Sequence, residues 1–156
     1  MNEKIWIFVI EKNLNESLLA TLQCNCKTFV TRWTAHEQKL SASFEIYKKS
    51  LIIFRVNEDV YNASGCSIDK LTRFIKDQEK IISCELMNRL LVVYEENDNP
   101  VVVNTEKLKE LIIQSKINES TLIFDNSISS SSQLTEWKKP LKATWLSKYL
   151  SLIHRG

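Results

Sequence analysis

The run Lys4–Ile10, KIWIFVI, restricts the fold of this chain more than any other stretch. A strand sends alternate side chains to opposite faces. Ile5, Ile7 and Val9 then fall on one face, and Trp6, Phe8 and Ile10 on the other, so both faces are apolar. The run is too short for a buried helix and suits a strand covered on both sides. Leaving the aromatic face in water would forfeit about 1.5–3 kcal/mol for each large side chain. KIWIFVI is therefore expected to be a central strand, flanked by the strands that contain Ile53 and Val92.

The remaining periodicities supply its neighbours. Asn15 suits a helix cap, and Leu18, Leu22, Cys26, Phe29 and Trp33 recur at three- and four-residue steps, as on an amphipathic helix. TAHEQK (34–39) reads as a polar loop. Leu40–Tyr47 alternates, and KKS joins it to Leu51–Val56, a connection short enough to require an antiparallel hairpin. A helix is expected over Ser67–Lys80, a strand over Arg89–Tyr94, and a turn at ENDNP leading to Val101–Val103, where Pro100 can begin an edge strand. Thr105 is expected to cap a short helix, with a strand over Thr121–Phe124, a surface loop at Ser129–Ser132 and a last helix over Ala143–Ile153.

Strand, helix, strand, strand, helix, strand is the order of the split βαβ, or ferredoxin-like, α+β fold. It predicts a core over residues 1–104 and a C-terminal helical extension, 105–156, packed on the same domain. Right-handed crossovers would put both helices on one face of the sheet. The other face then needs a cover. The extension is the first choice, with Trp145 and Tyr149 buried against the sheet; a second copy of the chain and a nucleic acid come after it.

Composition excludes several functions. The chain has 156 residues and a net charge of +2, which argues against an extensive nucleic-acid surface. LIIFRVNE also lacks the glycine and aromatics of an RNA-binding third strand. The only glycines are Gly65 and Gly156, so neither a P-loop nor a dinucleotide fingerprint is present. No apolar run is long enough to span a membrane, and the N-terminal pattern is not that of a signal peptide. These features predict a cytoplasmic protein whose thiols, Cys24, Cys26, Cys66 and Cys84, are free. No Cys-x-x-Cys pair occurs, and the histidines are His36 and His154, so no metal site or cofactor is expected.

One stretch invites chemistry. ASGCSIDK (63–70) places a glycine and a cysteine at the mouth of a helix. Gly65 permits a positive φ or a close backbone approach. Cys66 would meet exposed N–H groups and the positive end of the helix dipole, which favour a thiolate, whereas Asp69 would oppose it. In the expected fold this loop emerges beside TAHEQK. The leading reading is a small-ligand-binding or regulatory module without catalysis, whose ligand meets Trp33, His36, Ser64, Gly65, Cys66, Ser67 and Asp69. The rival is a thiol enzyme with Cys66 as nucleophile and His36 as base, the imidazole oriented by Glu37 or Asp69. A protein–protein interaction module is the third reading. The plain alternative is a capped helix start in which a small cysteine fills space.

Trp33–His36 (W-x-A-H), Ser64–Asp69 (S-G-C-S-I-D), Asn88–Tyr94 (N-R-L-L-V-V-Y), Trp137 and Trp145 together resemble an uncharacterised bacterial family commonly labelled "ABC transporter ATPase". The resemblance spans most of the chain and implies no established activity. The label conflicts with the residues, because both Walker glycines and their lysine are missing. Where that family has glycine after Ala-His, this chain has Glu37, which argues against a tight turn there.

Overall fold

The computed structural model describes residues 3–155 and shows a mixed α+β chain in four layers. The first sheet holds β1 (Glu3–Val9), β4 (Ser41–Tyr47) and β5 (Leu51–Asn57) in the order β1-β5-β4, all antiparallel. Helices α1 (Glu16–Arg32) and α2 (Gly65–Ile82) cover one of its faces. Between α1 and β4 lies a miniature hairpin of β2 (Thr34–Ala35) and β3 (Gln38–Lys39). The second sheet orders β7 (Asn99–Val103), β6 (Val92–Glu96), β8 (Leu122–Phe124) and β9 (Lys138–Pro140) side by side. Helix α3 (Thr105–Ile113) and the 3-10 segments that end the chain close its outer face.

Local chemistry accounts for the elements. The Asn15 side chain accepts the Leu18 N–H at 2.8 Å, and the stripe Leu22, Cys26 and Val30 is buried. Asn104, one residue ahead of the expected Thr105, caps α3 by accepting the Lys107 N–H. The β6–β7 turn uses Asn97 and Asp98 at φ 51° and 64°, left-handed values that these residues tolerate and that match strand twist. Pro100 lies on β7, an edge strand, where a missing N–H is tolerated. No helix among the described residues is long and apolar enough to cross a membrane.

The expectation of a central β1 is overturned. β5 is the central strand, while β1 forms an edge, and the strand that contains Val92 belongs to the other sheet. The physical reason lies in β6. Val92 and Tyr94 point to the α3 layer and Val93 to the first sheet, so β6 also needs two covered faces. A two-residue turn supplies β7 at once, β8 takes the other edge, and the new sheet stacks on the first instead of extending it. The layers consequently divide before β6, not after residue 104, because β6 and β7 join the C-terminal part. α1 and α2 do share one face, as expected.

The face opposite the helices is covered by this second sheet. Ile5, Val9, Leu51 and Ile53 meet Val93, Phe124, Ile128 and Trp137 there. Trp137 is the tail's anchor, with its ring centroid 4.9 Å from Phe124 and 5.2 Å from Tyr47. Trp145, expected to be buried, is 60% exposed. The segment Trp145–Arg155 winds as a 3-10 helix, not the expected α-helix, and it buries Leu146 in the outer layer. Accordingly, Trp137→Ala should cost about 3–5 kcal/mol in chemical denaturation. Trp145→Ala should cost less than about 1 kcal/mol.

Candidate functional site

Two places collect the residues of interest: the corner foreseen in the sequence and a groove that was not. At the corner, the end of α1 and the β2–β3 hairpin do meet the start of α2. Trp33, 1% exposed, donates its Nε1–H to the Ser67 carbonyl at 2.8 Å. Lys70 Nζ reaches the Thr34 carbonyl at 3.3 Å and its hydroxyl at 2.8 Å. Ser64 and Ser67 form a reciprocal capping box. Ser64 Oγ accepts the Ser67 N–H at 3.1 Å, and Ser67 Oγ accepts the Ser64 N–H at 2.7 Å while donating to the Ser64 carbonyl at 2.8 Å. The corner thereby engages Trp33, Ser64 and Ser67 in holding the fold together.

The exposed members of the predicted set are His36, Gly65, Cys66 and Asp69. No hydrogen bond joins His36 to Cys66 among the described residues. Gly65 does not take a positive φ, and a Cβ added there would meet nothing within 4 Å, so neither reason given for that glycine applies. The tight turn that Glu37 argued against is present: His36 and Glu37 form the tip of the β2–β3 hairpin at φ 49° and 67°. The Asn97–Asp98 turn sits at the opposite end of the sheet, where Lys48 Nζ donates to the Asp98 carbonyl. All four cysteines are free. Burial pushes the Cys26 thiol up to about 12 and also raises that of Cys84, so both are packing residues in the helix layer.

The groove runs along the outer edge of β1 and has a volume of about 900 Å³. The whole strand from Lys4 to Val9 lines it. Ile68, Leu71 and Thr72 of α2 form one wall, together with Leu86 and Met87 from the connection to β6. Val93 and Phe124 of the second sheet form the other. Exposed Trp145 also lines the groove. Trp6, Ile7 and Phe8 are only half-buried as a result.

The ladder shows what the edge offers. Ile10 N–H bonds toward the β5 side, to Ser50, whereas Ile5 N–H points away and bonds to Ser129. Alternation places the backbone groups of Ile7 and Val9 on the outer edge with that of Ile5. Ser129 takes the start of this edge, and Glu85 takes its end by accepting the Glu11 N–H at 3.2 Å. Among the described residues no backbone partner meets Ile7 or Val9 there.

Among the described residues, the ionisable groups of the groove are Lys4, Arg89, Asp125 and Lys139, with neither cysteine nor histidine in its lining. Lys139 lies 2.9 Å from Asp125 Oδ2. Burial raises the Asp125 carboxyl, but Ser127 and Lys139, hydrogen-bonded to it, outweigh that and hold it below the usual carboxylate range. A depressed folded value stabilises the protein above the unfolded value of about 3.9, and this contribution disappears as pH falls through the folded value. The sequence signal that could have found the groove is KIWIFVI, which reads as a central strand and is too apolar for an ordinary edge strand. No family model, curated protein or solved structure matches the chain.

Two outcomes are expected. Glu37→Gly should raise stability in urea denaturation by about 0.5–1 kcal/mol, because glycine removes the left-handed strain at a turn position. Asp125→Asn should lower the denaturation midpoint at pH 7, and the difference from wild type should shrink as the pH drops below about 4.

Proposed function

We propose that this chain is a non-catalytic cytoplasmic binding module whose ligand occupies the groove along β1. The observation that carries the reading is the groove's lining: half-buried Trp6, Ile7 and Phe8, exposed Trp145 and a few polar groups around about 900 Å³. Ligand sites are commonly concave, apolar and sparsely polar in this way, and of about 300–1,000 Å³. The Asp125–Lys139 pair makes a fixed polar landmark at the wall. The hydroxyl–carboxylate contact in the lining, Ser127 Oγ on Asp125 Oδ1, belongs to a local turn in which the Ser127 N–H donates to the same oxygen, and Lys139 holds that carboxylate as well, which favours binding over turnover.

The first sheet and its helices fit a split βαβ unit in which the groove lies where the fourth strand would run beside β1. That relation to the ferredoxin-like fold is part of the proposal, as is membership of the bacterial family whose motifs the chain resembles. The thiol-enzyme reading keeps one supporting observation, an exposed Cys66 in the first turn of α2. Selective iodoacetamide labelling of Cys66 that disappears in His36→Ala would favour it.

Thr72, partly exposed on α2, lines the groove, and a larger side chain there would fill the space without disturbing the core. The fluorophore 8-anilinonaphthalene-1-sulfonate should bind the wild type with enhanced emission. Thr72→Trp should weaken its binding by about tenfold or more, the equivalent of 1.4 kcal/mol. Equal binding to both proteins would place the fluorophore elsewhere and remove the support for the groove.

A further inference from the structure

The two edges of the first sheet are built differently. β4 guards its edge with exposed Ser41, Ser43 and Glu45, and Glu45 lies 3.6 Å from Arg55 of β5. Polar and charged residues of this kind keep other strands away. β1 carries no charge between Ile5 and Ile10, and its edge is recessed between two layers instead. An edge that needed only protection from its surroundings would carry the β4 pattern.

The groove asks for a particular chemistry. Ile7 and Val9 offer N–H and C=O groups that repeat every two residues, about 6.6–6.8 Å apart. An extended polypeptide backbone repeats its own donors and acceptors at that spacing. The chain already satisfies this edge in that manner at both ends. Ser130 bridges antiparallel to Lys4, the Ser129 carbonyl accepts from Ile5, and the Glu85 carbonyl accepts from Glu11. The interval from Ile5 to Glu11 spans about 20 Å of strand.

Side-chain surroundings narrow the occupant further. A strand placed beside β1 would have Ile68, Leu71, Leu86 and Met87 on one side and Val93 and Phe124 on the other. Strands buried on both faces are apolar throughout. At the groove's margins Asp125 is matched by Lys139, whereas Lys4 and Arg89 make no ion pair among the described residues. Acidic residues flanking the apolar segment would complement them.

We propose that the groove receives an extended apolar peptide segment with acidic flanks, which adds to the first sheet as a fourth strand through the backbone groups of Ile7 and Val9. This rests on the reading of the groove as the ligand site and names its ligand class. Affinity comes from main-chain hydrogen bonds, and selectivity from the two apolar walls and the cations at the margins.

The test uses a phage-displayed random octapeptide library against the whole chain, with Ile7→Pro as the second bait. Proline at a strand edge removes the outward N–H and leaves the inner ladder in place. The wild type should enrich three or four consecutive β-branched or aromatic residues beside Asp or Glu, and Ile7→Pro should not. A synthetic copy of the best sequence should slow amide exchange at Ile7 and Val9 by about tenfold or more, while Trp6 and Phe8 are slow with or without it. N-methylation of alternate peptide amides should abolish binding. The exchange and N-methylation measurements decide the matter even if Ile7→Pro does not fold. No enrichment, enrichment of helical or basic sequences, equal enrichment on a folded Ile7→Pro, or unchanged exchange at Ile7 and Val9 would overturn the proposal. If the library gives nothing while anilinonaphthalenesulfonate still enters the groove in a Thr72-dependent way, only the strand proposal fails. If the fluorophore is also indifferent to Thr72→Trp, the groove reading falls with it.

Discussion

Everything in this molecule leans on β5. Leu51, Ile52, Ile53, Phe54 and Val56 are each no more than 1% exposed, and successive residues serve different layers. Ile52, Phe54 and Val56 join the helix layer, where Phe54 lies in ring contact with Phe8, Phe29, Trp33, Phe44 and Phe74. Leu51 and Ile53 join the inter-sheet layer with Phe124 and Trp137. At about 1.5–3 kcal/mol for each large apolar side chain, this one strand supplies a substantial share of the apolar burial that offsets chain entropy. It also fixes the position of both layers, because a one-residue slip would exchange its two faces.

The groove follows from how that demand is met. Covering the second face of β5 with a stacked sheet uses β6, β7, β8 and β9 together. β6 is then committed to β7 and β8 and cannot pair with β1. The connection after α2 is held close to the edge strand instead. Glu79 accepts the N–H groups of Leu86 and Met87 at 2.8 and 3.3 Å, and Glu11 accepts that of Glu85 at 2.9 Å. The wall beside β1 is thus pinned by carboxylates, while the strand's own outer backbone groups at Ile7 and Val9 have no backbone partner among the described residues. Stability and an unpaired edge come from the same choice of pairing.

The corner at the start of α2 teaches a complementary point. Sequence reasoning brought W-x-A-H and S-G-C-S-I-D together, and the Trp33–Ser67 and Lys70–Thr34 hydrogen bonds bear out that proximity. The chemistry inferred from the same residues was less legible. Serines beside a cysteine read equally well as ligand contacts or as a capping box, since both uses need only a short hydroxyl side chain. Here Ser64 and Ser67 satisfy one another. Trp33 is spent on the aromatic cluster, 5.6 Å from Trp6 and 5.1 Å from Phe29. The groove escaped notice because its residues come from β1, α2, the 86–91 connection and the second sheet, and no local motif joins them.

The sequence by itself determined the mixed α+β class, the three α-helices and their buried stripes, the hairpins at KKS and ENDN, and the two apolar faces of β1. Those features depend on side-chain periodicity and turn chemistry, which are local. Only the tertiary structure decided which edge each strand offers to which neighbour. β1 and β6 carry nearly the same apolar pattern whether they lie side by side in one sheet or in two sheets stacked face to face. Strand pairing runs through backbone groups that every residue shares, so the pattern that reveals a buried strand does not reveal its partner.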